Sequence, residues 1–287
     1  MIALLGKPLT HSFAPQIQNE AFEAEGLDYC YFPAEIGEKE LPAVLEAARV
    51  MNFAGLVITK PNKVAVCRLL DQVDPAAAAM GSVNTVVRTP DGHLIGYNTD
   101  GLACLQSLRE DAGVQVEQEC FFCIGAGGVG RAIAYTLASS GARQIYLTDV
   151  NRKAAEDLRD TLEARYPGVV RAIPPQEERE IFQASGEASV VMNLTGLGIQ
   201  GGEDRMPYDG RLFHPGQLAF EAAYNPSKTR FLQEAERHGC RTLNGLNMTV
   251  YQGAIGFQLH TGRPAPLEQM KETARRLQAE RERGEKL

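Results

Sequence analysis

The sequence predicts an α/β protein of two domains, and three observations carry that expectation. Short apolar runs alternate with helix-forming segments along most of the 287 residues. A full set of such elements is complete before residue 100. A glycine-rich turn, Gly125-Ala126-Gly127-Gly128-Val129-Gly130, then follows between an apolar strand and an Ala-rich helix. The length suits two domains and not three large ones. The expected architecture is an N-terminal α/β domain, a Rossmann-type doubly wound nucleotide-binding domain, and C-terminal helices returning to the first domain. Residues 1–101 and 246–287 would form the first domain and 102–245 the second.

The elements follow in order. Ile2-Leu5 reads as a strand, Ala14-Glu25 as a helix, Tyr29-Pro33 as a strand, Lys39-Met51 as a helix and Phe53-Thr59 as a strand. Asn62-Leu70 and Pro75-Gly81 are helical, the latter through Ala76-Ala79. Asn84-Arg88 and Leu94-Tyr97 make a hairpin around Pro90-Asp91-Gly92. Cys120-Ile124 is a buried strand, Arg131-Ala138 a helix and Gln144-Thr148 a strand ending at Asp149. Beyond it come a helix at Ala154-Ala164 and strands at Val169-Ala172, Val190-Asn193 and Leu218-Ala223. Thr229-His238 is an amphipathic helix, Gly239-Leu246 a return from the nucleotide domain, and Met248-Leu259 an apolar helix. The mixed-charge tail, Lys271-Leu287, reads as a solvated helix with frayed ends.

Bulk properties exclude several function classes. The net charge is −7 with no basic block, which argues against nucleic acid and anionic membranes. No apolar run approaches membrane-spanning length. Met1-Leu5 meets Gly6, Lys7 and Pro8 at once, too early for a signal peptide, so a cytoplasmic location is expected. Cys120 and Cys123 have C-x-x-C spacing. Residues three apart on a strand face opposite sides, and no second pair completes a zinc site. Buried, reduced thiols are the expectation, and no metal is expected.

The glycine turn carries the clearest chemistry. Gly125 permits the tight turn, Gly127 lets a pyrophosphate approach the backbone, and Gly130 lets the helix pack near the strand. The helix start then offers free N–H groups and a partial positive charge. A glycine-rich turn that binds nothing is the alternative. In the first domain, polar residues punctuate strand ends at His11-Ser12, Thr59-Lys60-Pro61-Asn62-Lys63, Asn84-Thr85 and Asn98-Thr99-Asp100. Lys63 and Asp100 would supply a proton donor and a carboxylate, a pair suited to turning a ketone into an alcohol. Taken singly, each is an ordinary surface charge or cap.

Together these stretches resemble the shikimate and quinate dehydrogenase family over essentially the whole chain. The resemblance rests on Gly6-Lys7-Pro8-Leu9-Thr10-His11-Ser12, Gly55-Leu56-Val57-Ile58-Thr59-Lys60-Pro61-Asn62-Lys63, Gly81-Ser82-Val83-Asn84-Thr85 and Gly96-Tyr97-Asn98-Thr99-Asp100-Gly101. It continues through the glycine turn, Asn193-Leu194-Thr195, Tyr224-Asn225-Pro226 and Tyr251-Gln252-Gly253. It implies interconversion of shikimate and 3-dehydroshikimate by hydride transfer with a nicotinamide cofactor, with Lys63 and Asp100 as the catalytic pair. It further implies that Ser12, Thr59, Asn84, Tyr224 and Gln252 hold a ring polyol carboxylate. Thr195, Ala222 and Gly245 would border the cofactor beside Gly125, Ala126, Gly127, Gly128, Val129 and Gly130.

Departures from the family pattern keep alternatives open. Ala14 stands where the family has a second hydroxyl residue, so quinate or an aminoshikimate-type substrate remains an alternative. A catalytically silent nucleotide-binding regulator is the rival from another class, opposed by the intact Lys63 and Asp100. The family usually has Asn at Val57, Leu at Thr249 and Trp at His260. Val57 reads as strand core and His260 as a helix-face residue, while His11 shapes a turn. For the cofactor two readings compete. Asp149 at the strand end can accept hydrogen bonds from the adenine ribose and would repel the 2′-phosphate of NADP. Asn151, Arg152 and Lys153 follow at once, and family members that use NADP carry an Asn-Arg pair near here. NAD is favoured over NADP on this reading. Monomer and homodimer are both open.

Overall fold

The computed structural model describes residues 1–10, 12–199, 202 and 205–284; the turn expected of His11 lies outside them. The chain divides into two compact units, Met1–Ala103 with Thr249–Leu287 and Cys104–Met248.

The first unit is built on a six-stranded mixed sheet. Its strands are β1 (Ile2–Gly6), β2 (Tyr31–Glu35), β3 (Gly55–Ile58), β4 (Gln72–Val73), β5 (Thr85–Arg88) and β6 (Leu94–Tyr97), in the order β2-β1-β3-β5-β6-β4. All five residues of β1 are buried, as a central parallel strand covered on both faces requires. Val57 is half-buried on β3, paired with Leu4. The expected hairpin is present, with β5 antiparallel to β6. Helices α1 (Ala14–Ala24), α2 (Leu41–Val50) and α3 (Pro75–Met80) connect these strands. Helix α1 buries Ile17, Ala21 and Phe22 on one face, at the spacing of one helical stripe. Asp74 caps α3 by accepting from the Ala76 and Ala77 amides, and Gly81 ends it in the left-handed conformation.

The second unit carries a six-stranded, wholly parallel sheet: β7 (Cys120–Ile124), β8 (Gln144–Thr148), β9 (Val170–Ala172), β10 (Val190–Asn193), β11 (Leu218–Glu221) and β12 (Arg241–Asn244). The order β12-β11-β10-β7-β8-β9 is doubly wound, with the reversal between β7 and β10. Helices α4 (Asp100–Ala112), α5 (Gly128–Ser139), α6 (Arg152–Glu163), α7 (Glu178–Glu187) and α8 (Arg230–Arg237) join and cover the strands. Phe122, Ile124, Val191, Ala219 and Phe231 belong to one buried core cluster of this unit. Strand β12 lies where only a return segment was expected, and α7 was not anticipated.

The chain ends with α9 (Leu246–Thr261) and α10 (Leu267–Glu282). The expectation of a solvated tail is corrected. Helix α10 buries Met270, Thr273, Ala274 and Leu277, and contacts α1. Thr273 and Arg276 both bond Glu20 of α1, at 2.7 and 2.5 Å. All six cysteines are free, and burial pushes the Cys123 thiol up to about 12. Among the described residues no helix is long and apolar enough to cross a membrane.

Candidate active site

In the first unit the polar strand ends converge. The segment after β3 turns tightly, with the Asn62 amide donating to the Thr59 carbonyl and the Val83 amide to the Lys63 carbonyl. Lys63 is thereby fixed between the end of β3 and the approach to β5. Its ammonium donates to Asp100 Oδ2 at 2.6 Å. Asp100 opens α4, and its own amide donates to Asn98 Oδ1 at 3.0 Å, which caps the helix start. Asn84 then holds the other carboxylate oxygen, its Nδ2 donating to Asp100 Oδ1 at 2.8 Å. The same amide group approaches Gln252 Oε1 on α9 at 3.3 Å, and Asn84 Oδ1 accepts from the Thr99 amide at 2.9 Å.

Burial makes this network stiff. Asn84 and Thr99 are each 1% exposed, whereas the Lys63 side chain keeps 12% of its surface open. An ammonium with three donors, one committed to a neighbouring carboxylate, retains two for another oxygen. The arrangement can therefore hold or move a proton at Lys63 Nζ.

Ser12 is half-buried, and its hydroxyl accepts from the Ala14 amide at 3.3 Å, at the start of α1. Thr59 is half-buried just past β3. Both lie outside the hydrogen-bonded set around Asp100. Tyr224 is half-buried in the second unit, in the loop after β11. His260 does not join the site: its Nε2 lies 3.1 Å from the Val86 carbonyl of β5, and burial drives its pKa down to about 4. Thr99 belongs to the site although its role was not anticipated, and its place within Asn-Thr-Asp was the available signal.

The second unit holds a cavity of about 530 Å³ at the carboxyl end of β7. Gly125, Gly127, Asp149, Thr195, Arg205 and Tyr208 contribute to its walls. Gly125 has φ +112°, and a Cβ at Gly130 would fall 2.0 Å from the Gly125 carbonyl oxygen, so the turn depends on both glycines. Gly127 is exposed with nothing near its missing side chain, leaving the start of α5 open to an anion. Ala126 is buried, while Gly128 and Val129 are half-buried in the first turn of α5. A dinucleotide fits this cradle. Arg205 and Tyr208, in the long β10–β11 connection, escaped sequence reading because no motif surrounds them.

Beside the cavity, Asp149 behaves differently from expectation. Its Oδ2 accepts from the Ala126 amide at 2.6 Å and its Oδ1 from the Asn151 amide at 2.7 Å. Each oxygen thus braces a backbone amide, one in the glycine turn and one at the entry to α6, while the carboxylate still lines the cavity. Asn151 caps that helix, its side chain accepting from the Ala154 amide. Arg152 and Lys153 point to solvent and pair with Glu156 and Asp157 one turn on. Gly245 is buried against Ala222, and Thr195 is exposed.

Comparison with known proteins places these features in a family. A model of the shikimate dehydrogenase substrate binding domain matches residues 4–86, and one of the shikimate 5′-dehydrogenase C-terminal domain matches 245–275. A relative from Alkaliphilus oremlandii, named shikimate dehydrogenase (NADP(+)), is 37% identical over 95% of each chain. One from Moorella thermoacetica with the same name is 39% identical over 93% of this chain and 90% of its own. The structure of shikimate 5-dehydrogenase from Listeria monocytogenes, in complex with shikimate and NAD, superposes with TM-score 0.86 at 33% identity, covering 94% of both chains. The expected preference for NAD over NADP is overturned by the NADP(+) names of the curated relatives. In the structure Asp149 braces the glycine turn through the Ala126 and Asn151 amides, and Arg152 and Lys153, which follow it, carry the positive charge that suits a 2′-phosphate. By sequence identity over nearly its full length, the chain belongs to the shikimate dehydrogenase family.

Proposed function

We propose that the protein is an NADP-dependent oxidoreductase that interconverts shikimate and 3-dehydroshikimate. The observation that carries this reading is the Lys63–Asp100 pair, held at 2.6 Å and anchored through Asn84 to Gln252. Bound nicotinamide supplies the hydride acceptor for the carbinol carbon, and its reduced form the donor in the reverse direction. Lys63 handles the proton. As the amine it takes the hydroxyl proton during oxidation, and as the ammonium it returns that proton to the ketone oxygen during reduction. Asp100 holds Lys63 Nζ in place, while Asn84 keeps the carboxylate from turning away. Ser12, Thr59, Asn84, Gln252 and Tyr224 hold the ring carboxylate and its hydroxyls.

On this reading residues 1–101 and 246–287 serve the ring substrate, and 102–245 the dinucleotide. The pyrophosphate meets the glycine turn and the start of α5, with Thr195, Ala222 and Gly245 at the nicotinamide end. Arg152 is the 2′-phosphate contact. Its pair with Glu156 is solvent-exposed and worth little, so the guanidinium can be drawn to a dianion it matches bidentately. Free thiols throughout support a reducing compartment, the cytoplasm.

Quinate is the second reading, kept open by Ala14, which stands where the family has a second hydroxyl residue. Initial rates with shikimate and quinate, each with NADP and NAD, test both. Shikimate with NADP should give the highest kcat/KM. A quinate rate ten times the shikimate rate would transfer the assignment to quinate, and absence of turnover with either acid would refute the reading.

A further inference from the structure

Three polar residues stand in register at the carboxyl edge of the second sheet: Asn193 on β10, Glu221 on β11 and Asn244 on β12. Each ends its strand and bonds the loop beyond it. Asn193 Oδ1 accepts from the Thr195 amide at 3.2 Å and the Thr195 hydroxyl at 2.7 Å. Asn244 accepts from the Leu246 amide at 3.1 Å and donates to the Ser227 carbonyl at 3.0 Å. Glu221 accepts from the Ala223 amide at 3.2 Å and the Thr229 hydroxyl at 3.1 Å. It also accepts from Asn193 Nδ2 at 2.8 Å, so the middle carboxylate ties its own loop to its neighbour's.

Glu221 is 0% exposed, and no cation among the described residues offsets it. The groups that bond it are Asn193 from β10, Thr229 from the start of α8 and the Ala223 amide of its own loop, and its register partner on β12 is Asn244; none of these is charged. Burying an acid in such surroundings is costly, and an apolar strand end would be cheaper. The expense coincides with the loops that carry Thr195, Ala222 and Tyr224. The loop after β11 is also packed tightly on the end of β12, since a Cβ at Gly245 would fall 2.0 Å from the Ala222 carbonyl oxygen.

We propose that Glu221 is a positioning residue for the cofactor, fixing the loops at 194–197 and 222–229 so that they present one preformed wall to the nicotinamide half. The inference rests on the reading above that these loops take the dinucleotide. Three donors converge on the carboxylate, so the ionised form satisfies all of them. The protonated form carries a donor of its own and must find an acceptor among groups arranged to donate. Burial raises the Glu221 carboxyl to about 7, so this exchange falls at neutral pH.

The test compares wild type with Glu221→Gln and with Ser185→Ala, which removes a buried hydrogen bond to the Leu212 carbonyl in the same unit. Glu221→Gln should raise KM for NADP about tenfold while kcat at saturation stays within about threefold. The pH profile of kcat/KM for NADP should show an inflection near neutrality in wild type and Ser185→Ala that Glu221→Gln lacks. A folded Glu221→Gln enzyme with wild-type KM and the wild-type inflection overturns the proposal. Should that variant not fold, Glu221→Asp carries the test: the shorter carboxylate must raise KM and keep the inflection, and an unchanged KM overturns the proposal. Thr195→Ala separates the two levels. If it leaves KM for NADP unchanged, the loop leaves the cofactor site and the proposal falls with it. If it raises KM while Glu221→Gln does not, Glu221 alone is excluded.

Discussion

At the scale of single residues, hydrogen-bond partners decide what a charge does. Lys63 and Asp100 face each other with surface left open at the ammonium. Asp149, also at a strand end, instead has both oxygens tied to backbone amides of the turn it would otherwise leave free. Asp149→Ala should therefore raise KM for NADP and for NAD together, because the glycine turn loosens for both. The ratio of the two kcat/KM values should change by less than about threefold. A tenfold shift toward NADP, about 1.4 kcal/mol, would mean that the carboxylate faces the ribose after all. The position of Asp149 was legible in the sequence, since strand, turn and acid follow in order. Its partners were not, because spacing along the chain does not say which amides a tight turn leaves facing the side chain. Glu221 was hidden for a similar reason: an acid ending an apolar strand reads as a surface charge until neighbouring strands are in place.

Elements show the same division between pattern and context. Helix α9 presents His260 to the β5 backbone, where burial holds the imidazole neutral with a pKa of about 4. This value lies below the unfolded 6.5, so the unfolded chain binds the proton first as pH falls. Stability contributed by the neutral ring is present above pH 6.5 and is lost between there and about 4, at most about 3 kcal/mol. Melting temperatures of wild type and His260→Gln should converge on acidification through that window. Parallel curves would show that the ring charges freely in the folded state. Strands and helices with strong apolar periods were readable, among them β1, β7, α2 and α5. Strand β12 was not, because its four residues are exposed or half-buried at a sheet edge and carry little apolar pattern. Helix α7 buries only Ile181, Ala184 and Ser185 among its charges. In α10 the stripe of Met270, Thr273, Ala274 and Leu277 was present, but the surrounding Arg and Glu suggested full solvation.

Across the whole molecule the candidate site residues are divided by unit. Lys63, Asn84, Asp100 and Gln252 belong to one, and the glycine turn, Thr195, Glu221 and Gly245 to the other. The reversal of strand order between β7 and β10 places the glycine turn and Asn193 side by side at one sheet edge. That topology followed from the alternation of elements, whereas cofactor preference did not, because Asp149 and the Arg152-Lys153 run beside it argue in opposite directions. On the proposed reading Lys63 moves the proton of an NADP-linked alcohol oxidation. The most direct test is kcat for Lys63→Ala at saturating shikimate and NADP, with the dissociation constant for NADP measured alongside. A loss of about two to four orders of magnitude in kcat, with cofactor affinity unchanged, is the expected result; a variant that turns over near the wild-type rate would contradict it.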